Sequence, residues 1–231
     1  MAAARLRTGS AGTTGAVVSA LIVLLATQGS VVGQRIEWGF EDLPAGRPPA
    51  GFLFASSPKD QGGQWTVVRD GTNSVLGQVR PGQSGVQLAV VEGPSLADLV
   101  LTVRVRLLEG ARSAGVVWHY RDADNYYLAR LDLREQDVRI YRVVAGNRTR
   151  LEEEDDLELE AGAWHLLKVE HRGTRMRLLV NGVPVGDARD RTGQEGGAVG
   201  LWTNDSARGS TICPSSRHPG SRDGAIARIR H

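Results

Sequence analysis

The 231 residues are 41% hydrophobic and include 28 basic side chains, 26 acidic side chains, 29 glycines and a single cysteine. These values are typical of one globular domain with a sizeable core, and they exclude disordered, collagen-like, disulfide-rich and multi-span membrane proteins. The positive excess lies at the chain ends, because residues 1–34 hold two arginines and no acid, and residues 207–231 hold five arginines and one aspartate. The body is therefore mildly acidic, and we expect no nucleic-acid partner.

Residues 1–33 have the features of a signal peptide. Two arginines precede the apolar run Ala16–Ala26, which is shorter than the ~20 residues that a membrane-spanning helix needs. Val31 and Gly33 fit a small-residue cleavage site, so we expect cleavage before Gln34. This organisation predicts a secreted or periplasmic protein with no membrane contact after signal cleavage. The alternative is an uncleaved N-terminal anchor.

Residues 34–206 are predicted to form one all-β domain with two sheets. Apolar and polar residues alternate over Leu99–Leu107, which indicates a strand with one buried face. The same pattern returns in four further segments, namely Tyr127–Leu133, Val138–Val144, Trp164–Glu170 and Met176–Val180. No stretch of ten or more residues has a convincing helical period, and turn signals separate the strands at the spacing of an antiparallel sandwich or barrel.

Turn residues mark the connections between these strands. Asn181-Gly182 predicts a type I′ hairpin, because that turn needs positive φ at both central residues. Gly146-Asn147 and Asp122–Asn125 predict turns of the same kind. Leu43–Gly51 and Gln61–Gln64 are predicted to be loops between early strands.

Six short motifs occur in an order that is typical of one family of secreted bacterial domains. They are Trp38–Asp42, Trp65–Val67, Gly115–Asp122, Asn125–Leu131, Trp164–Val169 and Val199–Thr203. Over about residues 36–206, the chain resembles the 3-keto-disaccharide hydrolase domain family. The resemblance implies the concanavalin A-like jelly-roll β-sandwich that legume lectins, laminin G modules and family 16 glycoside hydrolases share.

The resemblance also implies a carbohydrate partner and cleavage of a 3-keto-glycoside. Oxidation at C3 acidifies the C2 proton, so a base removes that proton, the glycosidic substituent leaves by elimination, and water then adds. The reaction needs a general base and an electrophile near the C3 carbonyl. Two alternatives stay open: a non-catalytic extracellular glycan-binding module and a family 16-type glycoside hydrolase.

Candidate site residues lie mostly between residues 118 and 127, where aromatic faces for a pyranose and polar groups for its hydroxyls occur together. We assign catalysis to His119, Asp122 and Asp124, and substrate contacts to Arg121, Asn125, Tyr126 and Arg130. The cofactor for which these residues offer ligands is a divalent metal ion, bound by His119 with Asp122 or Asp124. The structural alternative is that the aromatic residues pack in the core, the acidic group builds a turn and the arginines form salt bridges.

The acidic run Leu151–Glu160 is predicted to be a solvated connection between two strands. It contains Glu154, Asp156 and Glu158, which match the Glu-x-Asp-x-Glu signature of family 16 glycoside hydrolases. That alternative requires the three carboxylates to share one strand face.

The family pattern breaks after Ser206. A last strand of the type Phe-Asp-Asp-Leu is expected there, but the chain continues with Ala207–Ser216 and an arginine-rich run without alternation. Codons for Ser210–Ser215 exist whose shifted frame encodes Phe-Asp-Asp-Leu-Ser-Val. We therefore predict that the last strand is missing or out of frame, and that residues 207–231 are an atypical basic tail produced by a frameshift. The alternative is a diverged tail.

Overall fold

The computed structural model describes residues 21–24, 35–56, 64–80, 85–108, 111–192, 195–204 and 210–213. The strands in these ranges are, in chain order, β1 Leu21–Leu24, β2 Arg35–Trp38, β3 Phe52–Ser56, β4 Gln64–Asp70, β5 Asn73–Arg80, β6 Val86–Val91, β7 Leu99–Leu107, β8 Ser113–Asp122, β9 Asn125–Asp132, β10 Asp137–Val144, β11 Asn147–Glu154, β12 Trp164–Arg172, β13 Arg175–Val180, β14 Val183–Arg189, β15 Ala198–Asn204 and β16 Ser210–Cys213. Within the same ranges, no helix has the length and hydrophobicity needed to cross a membrane.

The strands form two antiparallel sheets that pack face to face. The first sheet has the order β14-β13-β12-β7-β16-β5-β4, and β1 joins it by pairing with both β7 and β2. The second sheet has the order β11-β10-β9-β8-β15-β6-β3. Neighbours such as β8 and β15 are distant in sequence, as expected of a jelly roll. The all-β sandwich prediction is confirmed.

Strand and turn predictions agree with this architecture in most places. β7 has the predicted bounds, and its side chains alternate between the core and a partly exposed outer face. Asn181 and Gly182 have φ values of 51° and 84°, which confirms the predicted type I′ turn between β13 and β14. The turn predicted at Gly146-Asn147 lies one residue earlier, at Ala145-Gly146, because the register of β10 and β11 places Val144 opposite Asn147.

The acidic run is a strand end followed by a loop. Residues Leu151–Glu154 belong to β11, so the prediction of a connection is wrong for these four residues, of which Glu152, Glu153 and Glu154 pair with β10. The chain then leaves the strand, and Asp156 has a φ of 59°, which an extended strand does not adopt. Glu154, Asp156 and Glu158 therefore do not share a strand face, and the geometry required by the family 16 alternative is not formed.

One hydrophobic core fills the space between the sheets. Inward side chains from both sheets contribute to it, including Leu101 and Val169 from the first and Val116, Leu131 and Ile140 from the second, all fully buried. Each buried side chain of this kind contributes about 1.5–3 kcal/mol relative to exposure. The core fixes the two sheets against each other and makes the second sheet a rigid support.

A second apolar cluster lies on the outer face of the second sheet. All its members belong to that sheet, and Leu88, Val117, Leu128 and Trp202 have no exposed surface. Strand alternation places them there, because Leu201 faces the inner core and its neighbour Trp202 faces out. This outer face is therefore covered by its own side chains and differs from an ordinary solvated sheet face.

Both ends of the described chain contribute a strand beside β7. β16 lies between β5 and the Arg104–Leu107 part of β7, and β1 pairs with Val100–Thr102 of the same strand. This corrects the expectation that the last strand is missing, whereas the expectation that it is out of frame stays a prediction. The reason is that the facing edges of β5 and β7 carry unpaired backbone groups, with which an extended segment of ordinary sequence can pair.

Several predictions fall wholly or partly outside the described residues. These are the frameshift and basic tail, of which residues 205–209 and 214–231 are not described, and the loop residues Gln61–Gly63. Residues 1–20 and 25–34 are not described either, so within the predicted signal peptide only Leu21–Leu24 are described, as β1. The signal peptide, its cleavage and the frameshift stay predictions.

Candidate functional site

His119 lies in the interior of the sandwich. It occupies an irregularity of β8 between Trp118 and Asp122, with a φ of 48°. Its ring stacks on that of His171, with centroids 4.6 Å apart, and its Nε2 atom lies 2.8 Å from the carbonyl oxygen of Ala97. Because His119 is buried, this geometry supports a packing role at one end of the sandwich.

His171, which had no predicted role, completes this buried ring cluster. Trp118 Nε1 donates a hydrogen bond to His171 Nδ1 at 2.9 Å, and His171 Nε2 donates to the carbonyl oxygen of Gly173 at 2.9 Å. This use of both ring nitrogens requires the neutral imidazole. Burial, together with the neighbouring His119, lowers the pKa of His171 to about 4. His171 is therefore neutral and structural at physiological pH.

Asp122, Asp124 and Asn125 build the exposed turn between β8 and β9. Asp122 Oδ1 accepts hydrogen bonds from the Asp124 backbone N–H and the Asn125 side-chain amide, both at 2.8 Å. Asn125 Oδ1 accepts another from the backbone N–H of Ala145 at 3.1 Å. These contacts support the structural alternative for all three residues. The ring of His119 points into the interior, so the structure does not assemble the predicted catalytic or metal-binding set.

The other predicted substrate contacts lie in two different places. Arg121 forms an exposed ion pair with Glu195 at 2.6 Å. Tyr126 stacks on Tyr120, with ring centroids 6.2 Å apart, on the outer face of the second sheet. Arg130 lies on that same outer face, where it lines a cleft.

This cleft, with a volume of about 170 Å³, is the candidate site. Its walls combine guanidinium groups, carboxylates, two aromatic rings and small polar side chains. The lining residues are Arg112, Ser113, Arg130, Asp132, Glu135, Arg139, Tyr141, Arg148, Trp202 and Asn204. Arg130 is the only residue of the predicted site that lines it.

Strand register brings the cleft residues together. Arg130 on β9 pairs with Arg139 on β10, and Ser113 on β8 pairs with both Asp132 on β9 and Asn204 on β15. Paired residues of neighbouring strands point to the same side of a sheet. Residues that are distant in sequence therefore form one continuous polar wall on the second sheet.

A network of ion pairs fixes this wall. Buried Arg130 contacts Asp132 at 2.8 Å, Asp137 at 3.0 Å and Glu135 at 3.3 Å. Arg139 contacts Asp137 at 2.6 Å and Glu135 at 2.8 Å. Burial raises the pKa of Asp137 to about 6, although both arginines oppose the rise. Burial would also raise the pKa of Glu135, but Arg139 and Arg130 outweigh it and lower that pKa.

Two aromatic rings lie against arginines of the cleft. The Arg148 guanidinium lies 5.2 Å from the centroid of the Trp202 ring, and the Arg130 guanidinium lies 5.9 Å from that of Tyr141. Both distances are within the cation–π range. Burial raises the pKa of Tyr126, and Arg148 and Trp202 lie close enough to oppose that rise. Tyr126 therefore supports the cleft from beside Arg148.

The acidic residues near the cleft do not form a convincing metal centre. Asp137, Glu153 and Asp155 place one oxygen each within 4.8 Å of one another. However, Arg139 forms ion pairs with both Asp137 and Glu153, so a guanidinium already neutralises two of the three carboxylates. The donor set fits an ion-pair network better than a cation site.

Sequence reasoning missed most of the cleft. Arg139 and Tyr141 lie on a predicted strand and Trp202 lies in a quoted motif, so their alternation with core residues was visible, whereas Arg148 lies on β11, which was not predicted. That alternation marks side chains of one face. It does not identify which outer face forms a cleft, because this depends on how the strands are ordered in the sheet.

Comparisons with known proteins support the fold. No protein-family model and no curated protein matches the chain. Among solved structures, carbohydrate-binding module CBM66 from Bacillus subtilis is 18% identical, with a TM-score of 0.56 over 71% of this chain and 92% of the module. Sheep galectin-11, in complex with glycerol, is 12% identical, with a TM-score of 0.43 over 58% of this chain and 96% of the galectin. The likeness to CBM66 confirms the jelly-roll sandwich.

Proposed function

We propose that the chain is a carbohydrate-binding domain that holds a sugar in the cleft of the second sheet. The observation that carries this proposal is the presence of the fixed Arg130–Asp132 ion pair beside the partly exposed ring of Tyr141. Aromatic faces suit the C–H surface of a pyranose, and fixed donors and acceptors suit its hydroxyls. The similar structure from Bacillus subtilis is described as a carbohydrate-binding module, which adds support.

The size and chemistry of the cleft favour binding of one sugar unit. Its volume of about 170 Å³ is below the ~300 Å³ at which drug-sized pockets begin, so we expect it to hold one residue of a longer glycan. None of the ten described lining residues is a histidine. Both lining carboxylates, Asp132 and Glu135, are engaged by arginines.

Affinity electrophoresis in gels that contain soluble polysaccharides measures binding to a panel of glycans and tests this proposal. We expect Tyr141→Ala to weaken binding at least fivefold, because it removes an aromatic face from the cleft. Arg175→Gln is the matched control, since Arg175 lies on the first sheet in an exposed pair with Asp187. The absence of binding to every polysaccharide, or full binding by folded Tyr141→Ala, would contradict the assignment.

Cleavage of 3-keto-glycosides is a second proposal, which the motif resemblance supports. Glu135 is the partly exposed carboxylate of the cleft, and its lowered pKa keeps it ionised as a base must be. Arg130 and Arg139 beside it could stabilise negative charge on a C3 carbonyl oxygen. Release of free sugar from 3-keto-disaccharides, lost in Glu135→Gln, would support an enzyme. Binding without release would leave the binding domain as the better account.

We also propose that the domain acts outside the cytoplasm. The apolar run and the small-residue cleavage site within residues 1–33 support this location. Cell fractionation of the full chain, with mass spectrometry of its N-terminus, tests it. A mature protein that begins near Gln34 in the exported fraction is expected, and an uncleaved cytoplasmic chain would refute the proposal.

A further inference from the structure

We propose that the cleft recognises a sugar carrying an anionic group, a carboxylate or a sulfate ester, which binds at Arg148. This inference rests on the proposed glycan-binding function and names the class of sugar.

The other arginines at this site are balanced by carboxylates. Ion pairs join Arg112, Arg130, Arg139 and Arg150 to Asp132, Glu135, Asp137 and Glu153. Four guanidinium groups therefore meet four carboxylates. When all of them are ionised, this network has no net charge and offers a bound sugar a neutral set of donors and acceptors.

Arg148 is the exception to this balance. Over the part of the chain that the structure describes, its contacts are the ring of Trp202 and the side chain of Tyr126, and no carboxylate forms an ion pair with it. Among the described residues that line the cleft, it is therefore the arginine that no ion pair engages. A ligand with a negative group would supply Arg148 with the ion-pair partner that the other three lining arginines already have.

The position of Arg148 suits it to bind such a group. It lies on β11 opposite Val143, a member of the outer-face cluster, so its side chain reaches the cleft. The buried indole of Trp202 supports the guanidinium. A guanidinium presents paired N–H donors that match the oxygens of a carboxylate or a sulfate. Stacking on an aromatic ring reduces the freedom that such a side chain must lose on binding.

Paired ligands that differ only in charge test the inference by isothermal titration calorimetry. One pair is an oligogalacturonate and its methyl ester, and the other is a sulfated galactan oligosaccharide and its desulfated form. We expect the full chain to bind one anionic ligand at least tenfold more tightly than its neutral counterpart. The pair that shows the preference distinguishes a carboxylate from a sulfate.

Two variants connect that preference to Arg148. Arg148→Gln should reduce the preference for the charged ligand to below twofold, because it removes the guanidinium that would bind the anionic group. Arg175→Gln should keep the preference for the charged ligand, since Arg175 is paired with Asp187 on the other sheet.

Each further outcome is decisive. Equal binding of charged and neutral ligands would overturn the inference and leave the glycan-binding proposal standing. A charge preference that survives in Arg148→Gln would overturn the role of Arg148. Failure to bind either pair or any polysaccharide of the panel would overturn both proposals.

Discussion

At the scale of single residues, the buried histidine pair shows how tertiary contacts give a packing role to a side chain that was predicted to be catalytic. His119 follows an aromatic residue in a polar segment, which favours a catalytic interpretation from sequence. In the structure the His119 ring packs against His171, and Trp118 Nε1 donates a hydrogen bond to the Nδ1 atom of His171. Burial, together with the neighbouring His119, disfavours a proton on the His171 ring and lowers its pKa.

His171 should make the fold sensitive to acid. Its folded pKa of about 4 lies below the ordinary histidine pKa of 6.5. The neutral form is favoured by folding, so its stabilising effect is complete above pH 6.5 and is lost as pH falls from 6.5 towards 4. The full loss is about 3 kcal/mol. Urea unfolding at pH 7 and pH 4 should show a larger loss for wild type than for His171→Gln, and equal losses would contradict the assignment.

Arg130 should matter for stability as well as for binding. Replacing it with methionine leaves Asp132 and Asp137 buried without their common partner. Breaking a buried ion pair in this way costs about 3–5 kcal/mol. Urea unfolding of Arg130→Met measures the cost, with exposed Arg175→Gln as the control. A change below 1 kcal/mol for Arg130→Met would show that the network is not structurally important.

At the scale of secondary-structure elements, a close approach of β8 and β9 forms the floor of the cleft. Gly115 on β8 pairs with Arg130 on β9, and a Cβ atom at Gly115 would lie 1.9 Å from the carbonyl oxygen of Ala129. Any side chain there would push the two strands apart. The glycine therefore sets the strand spacing beneath the arginine.

Gly115→Ala should destabilise the domain and weaken glycan binding. Overpacking of this kind costs about 1–3 kcal/mol. Gly93→Ala is the control, because a Cβ at Gly93 would meet its neighbours at 3.7 and 3.8 Å, an ordinary contact distance. Thermal unfolding of both variants gives the comparison, and equal melting temperatures would show that the strands adjust freely.

The edge of β7 that faces away from β12 is shared by β1 and β16. The proposed cleavage before Gln34 removes β1 and leaves the backbone of Val100–Thr102 without these partners in the mature chain. We expect such a chain to lose about 1–3 kcal/mol of stability relative to one that lacks residues 1–20 and keeps β1. Equal urea midpoints for the two truncations would show that another segment takes the place of β1.

At the scale of the whole molecule, one core between two sheets supports a cleft on the outer face of one sheet. Strands from both halves of the described chain meet in each sheet, so neither half buries its apolar side chains alone. We therefore expect a single cooperative unfolding transition, with coincident fluorescence and circular dichroism curves. Two separate transitions would contradict this single-core description.

A bound glycan should stabilise this cooperative unit. At a ligand concentration about 100 times Kd, the free energy of unfolding should rise by about 2.7 kcal/mol. Tyr141→Ala should show a smaller rise at the same ligand concentration. A glycan that binds without raising the melting temperature would have to bind the unfolded chain equally well, which would contradict binding in the cleft.

The local chemistry of the sequence determined the strands and several turns. Period-two alternation predicted β7 and β12, and Asn181-Gly182 predicted the turn between β13 and β14. Both features depend on neighbouring residues alone. The jelly-roll class followed from the ordered motifs. Arg130 was also identified, as a charged residue on the polar side of a strand.

The tertiary structure decided where the candidate site lies. Trp202 and Arg139 come together because β15 and β10 lie in the same sheet, separated there by β8 and β9, and no local pattern encodes that order. Burial turned His119 into a packing residue, and hydrogen bonds turned Asp122 into a turn former. The physical reason is the same in each case: alternation records whether a side chain is polar, whereas its function depends on partners that only folding brings within contact distance.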